Sequence, residues 1–188
     1  SITKPDGSIR NTYDAREPLK AVHRRIKSQI LDHVNYPAYL TGSIKGCDYK
    51  INASRHAGAR IVINEDISGF FPSTSADRVF SIWRGFFGFS EEVAQCLAQL
   101  TTRHGELPQG AITSSFLANL VFWQDEPELY NKLAAHSLVY SRYVDDIAVS
   151  SKTFLSNQEK SEVMRRVYGM LLKHGYQPKR AKHEISTS

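Results

Sequence analysis

Apolar residues recur at helical spacing over residues 19 to 31, where Leu19, Val22, Ile26 and Ile30 are interleaved with basic residues. The pattern predicts an amphipathic helix with a cationic outer face. The period is then lost. Residues 35 to 59 are rich in Tyr, Gly, Ser and Asn, with turn chemistry at Thr41-Gly42-Ser43 and Lys45-Gly46, and are expected to be mostly loop. Arg60 to Ile67 is β-branched and apolar until it meets Glu65 and Asp66, which predicts a buried strand delivering carboxylates at its C-terminal end. Pro72 and Ser73-Thr74-Ser75 are helix-start signals, and Val79, Phe80 and Trp83 give the following helix an apolar face.

A further helix is expected over residues 90 to 102, with Ser90 as N-cap, Glu91 and Glu92 complementing the dipole, and Val93, Leu97 and Leu100 as its core stripe. Residues 113 to 123 are apolar nearly all round and predict a largely buried helix beneath the acids. Leu138 to Ser150 reads as a hairpin with Asp145 and Asp146 at its turn. Val163, Val167, Met170 and Leu171 define a last helix closed by Gly175, after which Tyr176 to Ile185 is expected to return as a strand. The order strand, helix, helix, hairpin, helix, strand predicts an α+β fold, an antiparallel sheet backed by helices that approximates a split β-α-β arrangement.

The 188 residues suffice for one sizeable domain or two small lobes, and no repeat, low-complexity segment or Gly/Ser-rich linker divides them. No apolar run approaches the roughly 18 residues needed to cross a bilayer. Ser1 to Arg10 has no apolar core of the kind a secretory signal requires. Cys47 and Cys96 lie far apart and outside any C-x-x-C pair, so neither a disulfide framework nor a zinc site is indicated, and a reducing cytoplasm is expected. The net charge of +5 favours polyanionic partners weakly. Its distribution adds more: Lys20, His23, Arg24, Arg25 and Lys27 cluster early, and Arg165, Arg166, Lys173, His174, Lys179, Arg180, Lys182 and His183 cluster late. Each cluster is either a solvated helix face or a nucleic-acid surface.

Acids in and beside buried strands need a reason, because an unpaired carboxylate in an apolar setting costs several kcal/mol. For Asp66 and the Asp145-Asp146 pair two readings stand on the residues alone. Asp is a favoured turn residue that satisfies local backbone donors. Alternatively, carboxylates from two neighbouring strands supply hard oxygen ligands to Mg²⁺, with phosphates and water completing the shell. Two such ions about 4 Å apart activate an attacking hydroxyl and stabilise a leaving pyrophosphate. Successive strand residues face opposite ways, so Asp145 and Asp146 are not equivalent, and Asp145 is the expected ligand of both ions.

Tyr143-Val144-Asp145-Asp146 resembles the YxDD motif of reverse transcriptases, and its companions occur in the family's order. Asn64 to Thr74 (NEDISGFFPST) is similar to the first acidic palm motif, and Leu107-Pro108-Gln109-Gly110 with Ala118-Asn119 to the LPQG segment. Asn52-Ala53 with His56, Phe70-Phe71-Pro72 and Ser141-Arg142-Tyr143 resemble the bacterial retron-type and group II intron-like enzymes, so the likeness runs over nearly the whole chain.

The resemblance implies a right-hand polymerase palm with partial fingers: a fingers portion over residues 1 to 60, and a palm over 61 to 188 with part of the fingers inserted around 75 to 105. A primer-grip motif and helical thumb are expected to lie beyond Ser188. Asp66, Asp145 and Asp146 become the catalytic, metal-binding acids for two Mg²⁺ ions, with Mn²⁺ as a substitute. Phe71, five residues beyond Asp66, matches the bulky residue under the incoming sugar that excludes a 2′-hydroxyl; as an isolated aromatic it is a core residue, as Phe70 is expected to be.

Gln109 and Gly110 border the nucleotide pocket, with Tyr143 as a further substrate-facing residue. Lys4 and Arg10, in Lys4-Pro5-Asp6-Gly7 and beyond, resemble the fingers residues that meet the triphosphate. Lys182 stands where the family has a lysine that protonates pyrophosphate. His56 is expected to pack or to contact template rather than ligate metal.

Two departures stand out. Ile112-Thr113-Ser114-Ser115 replaces the usual Pro-Thr-Ser-Pro, and Glu65 precedes Asp66, either as an outer-shell acid or facing away.

The implied activity is RNA-directed DNA synthesis, the transfer of deoxynucleotides to a primer 3′-hydroxyl. Its partners are an RNA template, a DNA or RNA primer and deoxynucleoside triphosphates, with a dedicated non-coding RNA as one more, and no membrane. The alternative is a polymerase-derived RNA-binding or antiphage defence module with template-independent synthesis or none.

Overall fold

The computed structural model describes residues 2–3 and 9–187, and for residues 2, 3, 9 and 10 the backbone alone. The chain forms two compact units, one from residues 1–35 and 71–121, the other from 36–70 and 122–188. Residues 36 to 60 belong with the sheet because Arg142 N donates to Tyr39 O (2.9 Å) and Thr41 N to Arg142 O (3.1 Å). His56 adds a bridge to Ser150 and Ser141 on neighbouring strands.

In the first unit, β1 (Ile2–Thr3) pairs antiparallel with β2 (Ile9–Arg10). The expected amphipathic helix is α1 (Leu19–Gln29), but its buried stripe is His23 and Ile26, leaving Leu19 and Val22 exposed. The stripe is turned because His23 Nε2 reaches the Leu100 carbonyl at 2.7 Å. The cationic face is largely neutralised from within: Lys20, Arg24 and Lys27 pair with Asp14, Glu17 and Asp32.

Ser75 caps α3 (Ala76–Ser81), which runs into one π-helical turn (Ile82–Phe86). That turn buries Trp83, whose indole N–H donates to Thr101 Oγ1 at 3.3 Å. Ser90 caps α4 (Glu91–Thr101) as expected. Its core stripe is Ala94, Ala98 and Thr101, while Val93 is exposed. Small side chains on that face let α3 and α4 pack closely, and the larger residues are displaced to the flanks. The helix expected over 113 to 123 is shorter, α5 (Ser114–Asn119), because the Leu120 N–H turns back to Leu117 O and tight turns follow. Its apolar positions are nonetheless buried, Leu117, Ala118, Leu120, Val121 and Phe122 among them.

The second unit is built on a fully antiparallel sheet of order β4-β5-β3-β6: β3 (Ile61–Asp66), β4 (Val139–Tyr143), β5 (Asp146–Ser151) and β6 (Glu184–Thr187). Ile61 and Ile63 alternate into the core as a half-buried strand requires. The segment read as loop contains α2 (Tyr49–Ser54), capped by Asp48, whose carboxylate accepts from Ile51 N at 2.8 Å.

α6 (Glu126–Ala134) and α7 (Asn157–Lys173) complete the unit. α7 buries Val163, Val167, Met170 and Leu171 as expected, and its Ser156/Glu159 capping box contributes about 1 kcal/mol. The return after Gly175 is strand only from Glu184. Pro178 makes only an isolated antiparallel bridge with Ile67, and Arg180–Lys182 forms a single 3-10 turn before the ladder resumes. Phe70 is a core residue, packed on Tyr176 (ring centroids 5.4 Å apart) and on Phe122.

Candidate active site

The β3–β5 ladder sets Asp66 directly opposite Asp146, and Ile67 N donates to Asp145 O at 3.0 Å, so the strand end and the hairpin turn are locked in register. Opposed residues on antiparallel strands have Cβ atoms about 5 Å apart on one face, where like charges repel. Asp66 is buried, whereas Asp146 is open to solvent on one side. Partial desolvation, then the charges of Asp145 and Asp66, push the Asp146 carboxyl up to about 6. Lys182 answers the repulsion: its ammonium hydrogen-bonds Asp66 Oδ2. That bond first, and then the charges of Asp66, Asp146 and Asp145 against the penalty of desolvation, raise its pKa. The structure thus brings Asp66, Asp145, Asp146 and Lys182 into one electrostatic cluster.

Glu65 faces away from that cluster, as strand alternation requires. It is buried, accepts from the Tyr168 hydroxyl at 3.0 Å and pairs with His183 Nδ1. Desolvation, then the bond to Glu65, pushes the Tyr168 phenol up to about 12, so it remains a donor. Glu65 therefore ties α7 to the turn that carries Lys182. The late basic cluster is mostly committed in the same manner: Arg165 and Arg166 to Glu162, and Lys173 and His174 to Asp125.

Among the described residues no three His, Cys, Asp or Glu side chains form a ready-made ligand cluster. The chemistry of the donors still fits a hard divalent cation. Three carboxylates share one strand-end corner, where desolvation and then the neighbouring charges raise the Asp146 carboxyl, and the balancing charge comes from Lys182.

The hairpin turn is itself constrained. Val144 has φ +58°, a left-handed conformation that β-branched residues avoid. Beside it, a Cβ on Gly42 would lie 2.5 Å from both Val144 Cγ2 and Val144 N, so only glycine fits. Arg142, fully buried, pairs with Glu126 and also reaches Val144 O. Neither Glu126 nor Gly42 is among the site residues expected from sequence. An arginine inside the apolar run of β4 was the available signal, since such a charge demands a buried acid.

Phe71, Gln109 and Gly110 belong to the first unit. Phe71 is half-buried and opens the second stretch of that unit. Gln109 O accepts from Tyr13 N at 2.7 Å. Gly110 has φ +100°, and a Cβ there would touch Thr12 and Tyr13 at 3.4 Å, so its immediate backbone neighbour is this segment of its own unit. Tyr143 is half-buried at the end of β4. Lys4 lies outside the described residues, and of Arg10 the backbone places it in β2. His56 packs: its Nδ1 and Nε2 lie 2.7 Å from Ser150 Oγ and Ser141 Oγ, which leaves neither nitrogen for a metal.

A helix-backed antiparallel sheet whose acids meet at adjacent strand ends is the palm of a right-hand polymerase. The fold is shared with apo telomerase of Candida tropicalis, at a TM-score of 0.59 and 11% identity over 90% of this chain and 35% of that one. A telomerase from Candida albicans in complex with a fragment of telomeric RNA superposes at a TM-score of 0.58, with 10% identity over 91% of this chain and 35% of that one.

Residues 2–188 match the family Reverse transcriptase (RNA-dependent DNA polymerase), and the chain belongs to it. It is 41% identical to the retron Se72 reverse transcriptase of Salmonella heidelberg over 162 residues, 86% of this chain and 43% of that protein. It is 33% identical to the retron Ec48 reverse transcriptase of Escherichia coli over 184 residues, 92% of this chain and 45% of that protein. The chain thus spans less than half the length of these relatives. Among the described residues no helix is long and apolar enough to cross a membrane.

Proposed function

We propose that this chain is the catalytic core of a retron-type RNA-directed DNA polymerase. The reading is carried by the opposition of Asp66 and Asp146, with Asp145 at the adjoining turn, in a chain of the reverse transcriptase family. Asp66, Asp145 and Asp146 would hold divalent ions, Mg²⁺ in the cell, which supply charge stabilisation to the triphosphate and acidify the primer hydroxyl. The primer 3′-oxygen forms a bond to the α-phosphorus of a deoxynucleoside triphosphate as the bond to pyrophosphate breaks. Positioning and electrostatics account for most of the acceleration. Lys182, held as a full ammonium by the acids, carries the proton that the departing pyrophosphate takes.

The unit of residues 36–70 and 122–188 is the palm in this reading, and the other unit contributes fingers. Phe71 takes the sugar-discriminating role, while Gln109, Gly110 and Tyr143 serve the nucleotide, and Lys4 and Arg10 its triphosphate. RNA template, primer and a dedicated non-coding RNA are the partners, and the free thiols of Cys47 and Cys96 suit the cytoplasm.

The test is primer extension by the full-length protein with Mg²⁺ and all four deoxynucleotides, on defined RNA, on DNA, and without template. Extension that copies the RNA supports the reading. Products made equally well without template favour the module that no longer copies.

A further inference from the structure

The aspartates of the hairpin sit on a backbone that does not hold its own shape. Val144 is in the left-handed region at φ +58°, between Tyr143 and Asp145. Left-handed backbone costs a β-branched residue of this kind stability, so neighbouring groups must over-determine it. The Arg142 and Glu126 side chains are 0% and 2% exposed. The guanidinium donates through Nε to Glu126 Oε1 (2.6 Å) and through Nη2 to Glu126 Oε2 (2.8 Å). Its remaining nitrogen, Nη1, donates to Val144 O at 3.0 Å. The Tyr140 hydroxyl donates to Glu126 Oε1 at 2.7 Å, fixing the carboxylate in turn. The Arg142 backbone is pinned on both sides by Tyr39 and Thr41, and Gly42 closes the other side of Val144.

We propose that Glu126 and Arg142 are positioning residues for catalysis: the buried pair clamps the Val144 carbonyl and thereby aims Asp145 and Asp146. A buried ion pair is weak support for stability as such, because a well-packed apolar trio can fold as well or better. What an apolar trio lacks is a rigid fork that spends two donors on a carboxylate and turns a third on a carbonyl two residues along its own chain. The function of the pair is therefore geometric. The inference rests on the polymerase reading of Asp145.

The decisive variant of the full-length protein combines Glu126→Leu, Arg142→Met and Tyr140→Phe, which removes the clamp and both of its buried charges together. It is expected to keep its melting temperature and its affinity for primer–template. Its kcat for single-nucleotide addition should fall roughly tenfold to a hundredfold, the penalty of slightly misplaced reacting groups. KM for the deoxynucleotide should move less, and the Mg²⁺ concentration for half-maximal rate should rise.

Arg142→Lys is the milder companion should the triple variant fold poorly. It keeps the charge on Glu126 but cannot span both acceptors, and the same split between kcat and KM is expected. Wild-type kcat and wild-type Mg²⁺ dependence in a folded variant would overturn the proposal. Asp145→Asn, assayed alongside, separates the two ideas. Full activity there refutes the polymerase site itself, whereas loss there with an undiminished triple variant refutes the clamp alone.

Discussion

Asp66 on β3 and Asp146 on β5 face each other across the antiparallel ladder, and the ammonium of Lys182 rests on Asp66. Two like charges in that register destabilise a sheet unless a cation intervenes. A strand pair that brings them together has placed an electrostatic demand at one corner of the fold. A divalent ion meets it better than a lysine whose side chain is 53% exposed.

If Asp66 holds a metal as proposed, Lys182 competes with that metal for it. Replacing Lys182 by Met should tighten Mn²⁺ binding to the protein without nucleic acid by about twofold to fivefold, the scale of a part-exposed ion pair. Paramagnetic relaxation of water protons reads this directly. The same variant should add nucleotides more slowly if Lys182 supplies the pyrophosphate proton as proposed. Weaker Mn²⁺ binding would place Lys182 outside the competition.

Gly42 has no room for a side chain. Gly42→Ala sets a methyl 2.5 Å from Val144 N and Cγ2, and the backbone atom cannot swing aside. The turn must move, at about 1–3 kcal/mol of stability. Activity should fall more steeply than the melting temperature, since the displaced residues adjoin Asp145. Equal kcat at unchanged stability would show that the loop yields instead.

The role proposed for Phe71 as a sugar gate is tested by shrinking it. Phe71→Val should raise the incorporation of ribonucleotides relative to deoxynucleotides by about tenfold or more, as removal of a steric barrier allows. The ratio of the two kcat/KM values is the measurement. An unchanged ratio would return Phe71 to the role of a half-buried packing residue.

His56 links the sheet to pH. Desolvation, with the charge of Arg55 second, lowers its pKa below the ordinary 6.5. The unfolded chain therefore binds the proton more readily, so the contribution of His56 to stability is complete above about 6.5 and declines as pH falls toward the folded-state pKa. A His56→Gln variant should melt lower near neutrality and show a flatter loss between pH 7 and 5, by calorimetry. Parallel profiles for the two proteins would mean that the imidazole titrates freely.

The sheet and its acids were legible because local chemistry and tertiary role coincide there. A β-branched run that ends in Asp66, and a hairpin with Asp145 and Asp146 at its turn, can each be read from neighbours in sequence. α4 was legible in its bounds, since Ser90 caps locally, but not in its buried face. Which side of a helix goes inward depends on how closely another helix approaches, and Ala94 and Ala98 permit what Leu97 does not. The Glu126–Arg142 pair and the Gly42–Val144 contact escaped for a related reason. They join residues 16 and 102 positions apart, and only the folded sheet brings them together. Glu65 was left open by symmetry: adjacent acids look alike in sequence, while the pleat sends one to the corner and the other to Tyr168 and His183.

Asp66, Asp145 and Asp146 are proposed to hold the metal that drives nucleotide addition. This is tested most directly by single-turnover primer extension on an RNA template with Asp145→Asn beside the wild type, across a Mg²⁺ titration. The rate should fall by at least about a hundredfold, with primer–template affinity kept. Extension at the wild-type rate, with unaltered dependence on Mg²⁺, would contradict it.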